Sequence, residues 1–176
     1  MPTAERYGPG EARRFTQAGD LILTHRDQVA SRLIAFGQGL RFRGADRVFC
    51  HWSHVACIVG DHGELVEALG HGVEATNLGR YKDVEYHVVS VEATAADRAQ
   101  MAAFAQACVG RPYGYLAILS LGLTLLTGAK FAFGNPGTLI CSALAAEALC
   151  RGDYVWPRDP NRCMPADIAK HLAVTP

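Results

Sequence analysis

Runs of apolar residues in the first half of the chain predict a β-sheet. Residues 19–25, GDLILTH, read as a turn followed by a strand, and residues 54–60, HVACIVG, are apolar on both faces, which is typical of a central strand. The turn-forming residues DHGE then precede residues 65–69, LVEAL, so these two runs predict a hairpin. Residues 86–91, YHVVSV, predict a third strand.

Apolar residues spaced three and four apart predict helices elsewhere in the chain. The predicted helices lie at residues 28–40, at residues 94–110, from about Ser142 to near Gly152, and from Pro165 onwards. The second of them begins with Thr94 and Asp97, a pair that resembles a capping box and would satisfy backbone groups of the first turn. The last opens with a proline, whose fixed φ angle already suits the first turn of a helix.

Together these elements predict an α+β fold with one domain at residues 19–176, preceded by a polar and weakly ordered arm at residues 1–18. The chain has 176 residues, 49% of them hydrophobic, which is enough for one core. Its longest apolar run, residues 115–129, is shorter than the roughly 20 residues that span a bilayer. We therefore expect a buried or interfacial segment there.

Charge and the N-terminal residues limit the classes of function. Basic and acidic residues are balanced, 17 of each, so the chain lacks the positive surplus typical of nucleic-acid-binding proteins, and no nucleic-acid partner is expected. The first residues, MPTAERYGPGEARRF, contain no apolar segment of the kind found in secretory signals. The location is therefore unknown, with the cytoplasm or export by a signal-independent route as the two expectations.

The six cysteines do not require disulfides in a chain with a core of this size. Cys150 and Cys163 flank a proline-rich loop, so a disulfide between them remains open, although free thiols are favoured.

A zinc site is the second use of cysteine to consider. The stretch CHWSHVAC contains four residues of types that bind zinc, namely Cys50, His51, His54 and Cys57. If the stretch is extended, Cys50 and His54 face one side and the other two face the opposite side, so one strand cannot close four ligands around an ion. No metal is expected.

Cys141 is the candidate nucleophile. It stands at the start of the predicted helix in TLICSALAAEAL, where free backbone N–H groups and the helix dipole lower the pKa of a thiol. The alternative is a small buried hydrophobe, which is what most free cysteines are. His54 begins an otherwise apolar strand and is the candidate base, and Glu67 in LVEAL needs a partner if it is buried. These residue types can act as nucleophile, base and orienting acid.

The register of the predicted hairpin decides which residue can orient His54. A tight two-residue turn would pair His54 with His71 and would leave Glu67 four residues away, about 13 Å along the strand. Glu67 can orient His54 only if the hairpin loop is wider. Otherwise His71 is the alternative orienting residue.

The same stretches resemble those of NlpC-type papain-like cysteine peptidases. GDLILTH followed by HVACIVGDHGELVEA is similar to that family's Gly-Asp-Leu strand, His-Val strand, Gly-Asp turn and second strand with the third catalytic residue. GRPYGY followed by CSALA is similar to its Pro-Tyr segment and Cys-Ser nucleophile helix. In common members the cysteine half comes first, whereas here it comes last. That order resembles the circularly permuted, YiiX-like branch, which is itself similar to the lecithin:retinol acyltransferase group. The resemblance extends from residue 19 to about residue 170.

The resemblance implies a papain-like, NlpC-type fold with circularly permuted topology, in which an antiparallel sheet packs against helices. It implies a thiol hydrolase with Cys141 as the nucleophile, His54 as the base and Glu67 as the third member, and it implies no cofactor. Tyr113, from the Pro-Tyr motif, would lie near the oxyanion site, with a core tyrosine as the alternative, and Ser142 would take part in oxyanion or substrate binding. The substrate would be an amide, such as a cell-wall peptide, or a lipid acyl ester.

One departure from the family's pattern concerns the substrate. Common members have a short Gly-rich link between the Pro-Tyr tyrosine and the cysteine, whereas this chain has an apolar insertion. Residues 115–134 could line an acyl-chain pocket or contact a membrane surface, or could simply fill the core or a protein interface. The alternatives to a hydrolase are an acyltransferase or phospholipase that uses the same site, and a lipid- or peptide-binding module without turnover.

Overall fold

The structure, a computed structural model, describes residues 2–13, 15–25, 29–128, 137–154, 156–157 and 159–176. The strands are β1 (Thr3–Tyr7), β2 (Leu21–Thr24), β3 (His54–Ile58), β4 (Glu64–Leu69), β5 (Gly72–Asn77) and β6 (Tyr86–Ser90). The α-helices are α1 (Val29–Arg41), α2 (Ala95–Ala107), α3 (Tyr115–Thr127), α4 (Cys141–Arg151) and α5 (Pro165–His171). Short 3-10 helices lie at Gly44–His51, Leu78–Tyr81 and Pro160–Arg162.

The protein is an α+β protein in which a six-stranded antiparallel sheet, ordered β1-β6-β2-β3-β4-β5, packs against helices. Strand β3 is central and buried along its whole length. Its Val55 and Cys57 belong to a core shared with α2 and α4, whereas Ala56 and Ile58 belong to a second core with Tyr86. Because successive side chains of a strand point to opposite faces, the sheet separates these two cores.

Helix α4 approaches the sheet closely because small residues dominate it. Its buried residues after Ser142 are all alanine or leucine, namely Ala143, Leu144, Ala145, Ala146, Ala148 and Leu149. The helix packs against α2, β3 and β4. This close packing brings the first residue of α4 next to the start of β3.

The predicted strands and helices are confirmed by the structure. The strands correspond to β2, β3, β4 and β6, and the helices to α1, α2, α4 and α5. The capping box at the start of α2 is also confirmed, since the Asp97 N–H donates to the Thr94 hydroxyl at 3.2 Å and the Thr94 N–H donates to the Asp97 carboxylate at 3.1 Å. These elements depend on local signals within a few residues, which the sequence displays directly.

The expectation of a weakly ordered arm at residues 1–18 is wrong for its first part. Residues Thr3–Tyr7 form the edge strand β1, which pairs with β6. This strand has no apolar alternation and is mostly exposed, so its sequence does not indicate a strand. It is held instead by main-chain hydrogen bonds to β6 and by the ring of Tyr7, which stacks on that of Tyr86 at 5.2 Å.

The six cysteines are all free thiols, so the open alternative of a Cys150–Cys163 disulfide is wrong. Cys150 is exposed, whereas Cys163 is buried and contacts the indole N–H of Trp156. The stretch CHWSHVAC is not one strand, because Cys50 and His51 belong to the 3-10 helix Gly44–His51 and β3 begins at His54. Among the residues that the structure describes, no three His, Cys, Asp or Glu side chains are grouped as metal ligands would be.

Residues 115–127 of the apolar run form helix α3, which is followed by Gly128 in a left-handed conformation with φ 74°. Large apolar side chains of α3 are exposed to solvent, including Leu116, Leu119 and Leu126. None of the described helices combines the length and the apolarity needed to cross a bilayer. The segment predicted to line an acyl-chain pocket or contact a membrane is residues 115–134, and its residues 129–134 lie outside the described residues.

Candidate active site

Cys141 is the first residue of α4, and its side chain is 3% exposed. The backbone N–H groups of Ser142 and Val55 both donate to its sulfur. One of these donors comes from the free N-terminal turn of the helix and the other from strand β3, so the thiol lies where the helix and the sheet meet. Both donors stabilise a negative charge on the sulfur.

His54 lies between Cys141 and Glu67. Its Nε2 is 2.8 Å from Oε2 of Glu67, and its ring is also hydrogen-bonded to the Cys141 thiol. Since Nε2 is engaged by the carboxylate, Nδ1 is the ring atom left for the sulfur. The histidine is buried at the first position of β3, where the strand begins beside the start of α4.

The hairpin loop between β3 and β4 is wider than a two-residue turn. The last paired residues are Ile58 and Leu65, and the N–H of Val59 donates to the carbonyl of Glu64 at 2.9 Å. Four residues, 60–63, therefore form the loop, and the tight turn considered from the sequence is wrong.

This wider loop changes the partner of His54. Extending the observed register places Glu67 opposite Ala56, two residues from His54, and a long side chain spans such a diagonal. His71 is instead exposed, with its Nε2 2.6 Å from Oε2 of Glu74. The contact with His54 therefore belongs to Glu67 and not to His71.

Glu67 is 0% exposed, and both of its carboxylate oxygens have partners. Oε2 accepts hydrogen bonds from His54 and from the hydroxyl of Tyr81, each at 2.8 Å. Oε1 accepts from the hydroxyl of Thr76 at 2.7 Å and lies 3.6 Å from Nε of Arg80. A buried carboxylate with this many donors remains ionised.

The three donors that follow Glu67 in the chain were missed by the sequence reasoning. Thr76 lies on β5, and Arg80 and Tyr81 lie on the 3-10 helix Leu78–Tyr81, neither of which was predicted. The sequence GVEATN could have indicated β5 through its alternation of residue types. In the structure the first two residues of this strand are buried, and the remaining four alternate between half-buried and exposed.

The three site residues shift one another's pKa values. Burial would lower the pKa of His54, but the hydrogen bonds and charges of Cys141 and Glu67 outweigh it and raise that pKa to about 9. Burial would raise the pKa of Glu67, but His54, Thr76 and Tyr81 lower it to about 2. For Cys141, burial is again outweighed, by His54 and the two backbone N–H donors, and the pKa is lowered.

These directions together favour a thiolate–imidazolium pair as the resting state at neutral pH. A thiolate is the nucleophilic form of cysteine, and an imidazolium can donate a proton to a leaving group. The arrangement can therefore carry out nucleophilic attack on an electrophilic carbon, followed by proton transfer from the same histidine.

Tyr113 lies near Cys141. The segment that contains it runs alongside the residues before α4: the N–H of Leu139 donates to the carbonyl of Pro112 at 3.1 Å, and the N–H of Gly114 donates to the carbonyl of Leu139 at 3.0 Å. Burial, the charge of Cys141 and the neighbouring Tyr115 all raise the pKa of the Tyr113 hydroxyl, which therefore stays protonated and able to donate a hydrogen bond.

The side chain of Ser142 is directed away from the thiol. It is buried, and its hydroxyl donates to the carbonyl of Cys163 at 2.6 Å. Only its backbone N–H contacts the sulfur of Cys141. The predicted part of Ser142 in oxyanion or substrate binding stays a prediction, and only its backbone N–H is placed to play that part.

No protein-family model matches the chain, and no curated protein matches it. We therefore infer its function from the residues of the site and their geometry.

Proposed function

We propose that the protein is a cysteine hydrolase in which Cys141 is the nucleophile, His54 the general base and acid, and Glu67 the residue that orients His54. The observation that carries this proposal is the place of the buried His54 between two partners: its Nε2 lies 2.8 Å from Oε2 of Glu67, and its ring interacts with Cys141, which raises the pKa of the histidine and lowers that of the thiol. A merely structural cysteine does not need a buried imidazole and a buried carboxylate aligned behind it.

The reaction would proceed through an acyl-enzyme. The Cys141 thiolate attacks the carbonyl carbon, and the backbone N–H of Cys141, which has no acceptor within the helix, is a candidate donor to the oxyanion. The leaving group takes the proton from the His54 imidazolium as the C–N or C–O bond breaks. Neutral His54 then removes a proton from water, which attacks the thioester and releases the acid and the thiolate.

The fold proposed for this chemistry is a circularly permuted papain-like domain of the NlpC type. The antiparallel sheet packed by the cysteine helix supports it, as does the order in which β3 and β4 with His54 and Glu67 precede α4 with Cys141. The Pro-Tyr segment supports it further, since Tyr113 lies near Cys141.

The substrate class follows from the surroundings of the site. An amide, such as a cell-wall peptide, is the first candidate. A lipid acyl ester is the second, because α3 begins two residues after Tyr113, contains no charged residue and exposes Leu119 at 55%. The hydroxyls of Thr124 and Thr127 donate to carbonyls of their own helix, each at 2.8 Å, which suits an apolar environment. If the substrate is a lipid ester, we propose that α3 contacts the membrane surface.

The first test is a product analysis. Wild type and the variant Cys141→Ala are incubated with a mixture of muropeptides and phospholipid vesicles, and new species are identified by mass spectrometry. Peptide fragments formed by wild type alone would establish an amidase or peptidase. Lyso-lipids with free fatty acid would establish a lipid hydrolase, and acyl chains moved to an acceptor would establish an acyltransferase.

The matched control is Cys150→Ala, which removes an exposed thiol outside the site and should leave any product unchanged. The hydrolase proposal fails if no product forms and the Cys141 thiol also reacts with iodoacetamide no faster at pH 6 than an ordinary cysteine does. A lipid- or peptide-binding module without turnover is then the remaining function, and it would bind equally well as Cys141→Ala.

A further inference from the structure

We propose that Tyr81, Thr76 and Arg80 are positioning residues that hold Glu67 in place and ionised. Through Glu67 and then His54, they thereby set the acidity of the Cys141 thiol. This inference rests on the proposed function, because it assigns a task to the residues behind the triad. None of the three touches the thiol in the contacts described above.

Tyr81 is the best placed of the three. It is 0% exposed, and its hydroxyl donates to Oε2 of Glu67 at 2.8 Å, the same oxygen that His54 contacts at 2.8 Å. Two donors on one oxygen define where that oxygen lies. The hydroxyl of Tyr81 therefore limits the positions in which Glu67 can meet the histidine ring.

Thr76 holds the other oxygen from the next strand. It lies on β5 opposite Leu65, within the ladder that pairs β4 with β5, and its hydroxyl donates to Oε1 of Glu67 at 2.7 Å. The two hydroxyls thus hold opposite oxygens and oppose rotation of the carboxylate about its terminal bond. A carboxylate that cannot rotate keeps one oxygen directed at His54.

For Glu67, Arg80 contributes a positive charge rather than a fixed hydrogen bond. Glu67 lies directly opposite Glu74 in the β4–β5 ladder, and like charges in that position repel each other. The guanidinium of Arg80 lies between them, with Nε 3.6 Å from Oε1 of Glu67 and Nη1 3.0 Å from Oε1 of Glu74. The half-exposed arginine therefore offsets the repulsion, although solvent screens its effect.

The effect reaches the nucleophile through His54. A buried carboxylate that loses hydrogen-bond donors takes up a proton more readily, because its charge is no longer compensated. A weaker negative charge at Glu67 stabilises the imidazolium of His54 less. A less stable imidazolium in turn stabilises the Cys141 thiolate less, so the thiol should require a higher pH to ionise.

The test is the pH dependence of Cys141 alkylation in Tyr81→Phe, which keeps the ring and removes the hydroxyl. The protein is treated with iodoacetamide between pH 4 and pH 10, and modification of the peptide that contains Cys141 is followed by mass spectrometry. We expect the midpoint to rise by about one pH unit, which lowers the alkylation rate about tenfold below the midpoint. Thr76→Val should raise it similarly, Thr76→Ser should restore the wild-type midpoint, and Arg80→Gln should give a smaller rise.

The matched control is Tyr86→Phe. Tyr86 is a buried tyrosine of the same apolar core, its ring centroid lies 5.8 Å from that of Tyr81, and its hydroxyl bonds to the main chain of residues 11 and 13. This variant should lose stability to a similar extent without moving the alkylation midpoint. A simple loss of packing is thereby separated from a change in the charge of Glu67.

The outcomes distinguish this inference from the function on which it rests. If Tyr81→Phe and Thr76→Val lower the thermal stability but leave the alkylation midpoint of a reactive Cys141 unchanged, the positioning role is wrong and the hydrolase proposal stands. If the wild-type midpoint is already that of an ordinary cysteine, the positioning role is wrong, and the hydrolase proposal is wrong as well if no product forms. The inference is supported if the alkylation midpoint of Cys141 rises in Tyr81→Phe and Thr76→Val and keeps its wild-type value in Tyr86→Phe.

Discussion

Cys141 and Cys57 are both buried thiols of the same core, yet their surroundings shift their pKa values in opposite directions. Cys57 lies in the middle of β3, where burial and the nearby thiols Cys108 and Cys141 raise its pKa to about 12. Cys141 lies at the start of α4, where His54 and two backbone N–H groups outweigh burial. Burial by itself raises the pKa of a thiol, and at Cys141 the histidine and the backbone donors outweigh that effect.

The other four thiols extend the comparison. The pKa values of Cys50, Cys108, Cys150 and Cys163 are all raised, with burial as the leading cause. Cys141 is thus the thiol of this chain whose environment favours the thiolate. The comparison can be tested by changing each part of that environment in turn.

The largest effect is expected from exchanging the two thiols for alanine in separate variants. Cys141→Ala should abolish product formation, a loss of at least about 10³-fold, because the thiolate that forms the acyl-enzyme is removed. Cys57→Ala should keep its activity within about threefold and lose roughly 1 kcal/mol of stability from the small cavity. The measurement is turnover of the identified substrate, with urea unfolding as the stability control. Equal losses in both variants would contradict the assignment of Cys141.

The next largest effect is expected for His54→Gln, which keeps a polar side chain but removes the imidazolium. The pKa of Cys141 should rise towards that of Cys57, because burial then lacks the group that offsets it. Alkylation of Cys141 at pH 6 should fall about 10²-fold, and turnover should fall by a similar factor or more. His171→Gln, which changes an exposed histidine on α5, is the control and should change neither quantity. An unchanged alkylation rate in His54→Gln would show that the helix end alone makes the thiolate.

A smaller effect is expected for Glu67→Gln, because the glutamine amide can still contact the ring while the negative charge is lost. The pKa of His54 should fall from about 9, since Glu67 is one of the groups that raise it. We expect turnover to fall roughly tenfold to a hundredfold and the basic limb of the pH profile to move to lower pH. The exposed pair of His71 and Glu74 provides the control, because Glu74→Gln should have far less effect on the profile.

The smallest effect is a divergence between two pH profiles of the unaltered protein. Above about pH 9 His54 loses its proton, so no imidazolium remains to protonate a leaving group and turnover should fall, to about half at pH 9. Alkylation needs only the thiolate and should not fall over the same range. Turnover against pH and iodoacetamide reactivity against pH are the two measurements, and parallel curves would contradict a role for His54 as general acid.

Much of the candidate site could be predicted because its signals are local. The start of α4 at Cys141 follows from the apolar spacing of the helix, and the strand with His54 follows from its continuous apolar run. Whether Glu67 or His71 would face His54 could not be predicted, because it depends on the length of the hairpin loop. The loop proved two residues longer than the tight turn, and those two residues decide which side chain reaches the histidine.

The strands at the two edges of the sheet were harder to predict than its centre. Central strands are buried on both faces and therefore consist of apolar runs, whereas β1 and β5 carry polar residues and are held by main-chain pairing with a neighbour. The hydroxyl of Thr76 was missed for this reason. Tyr81 was missed because a 3-10 helix of four residues has no periodic pattern.

The amino-acid sequence by itself determined which residues can do chemistry and which local elements carry them: a thiol at a helix start, a histidine at the start of an apolar strand, and a carboxylate among apolar neighbours. These features depend on side-chain type and on spacing over a few residues. Only the tertiary structure decided that His54 meets both Cys141 and Glu67, and that Tyr81 and Thr76 hold that carboxylate. The physical reason is that register, packing and buried hydrogen bonds join residues distant in the chain, and their free energies depend on the whole fold.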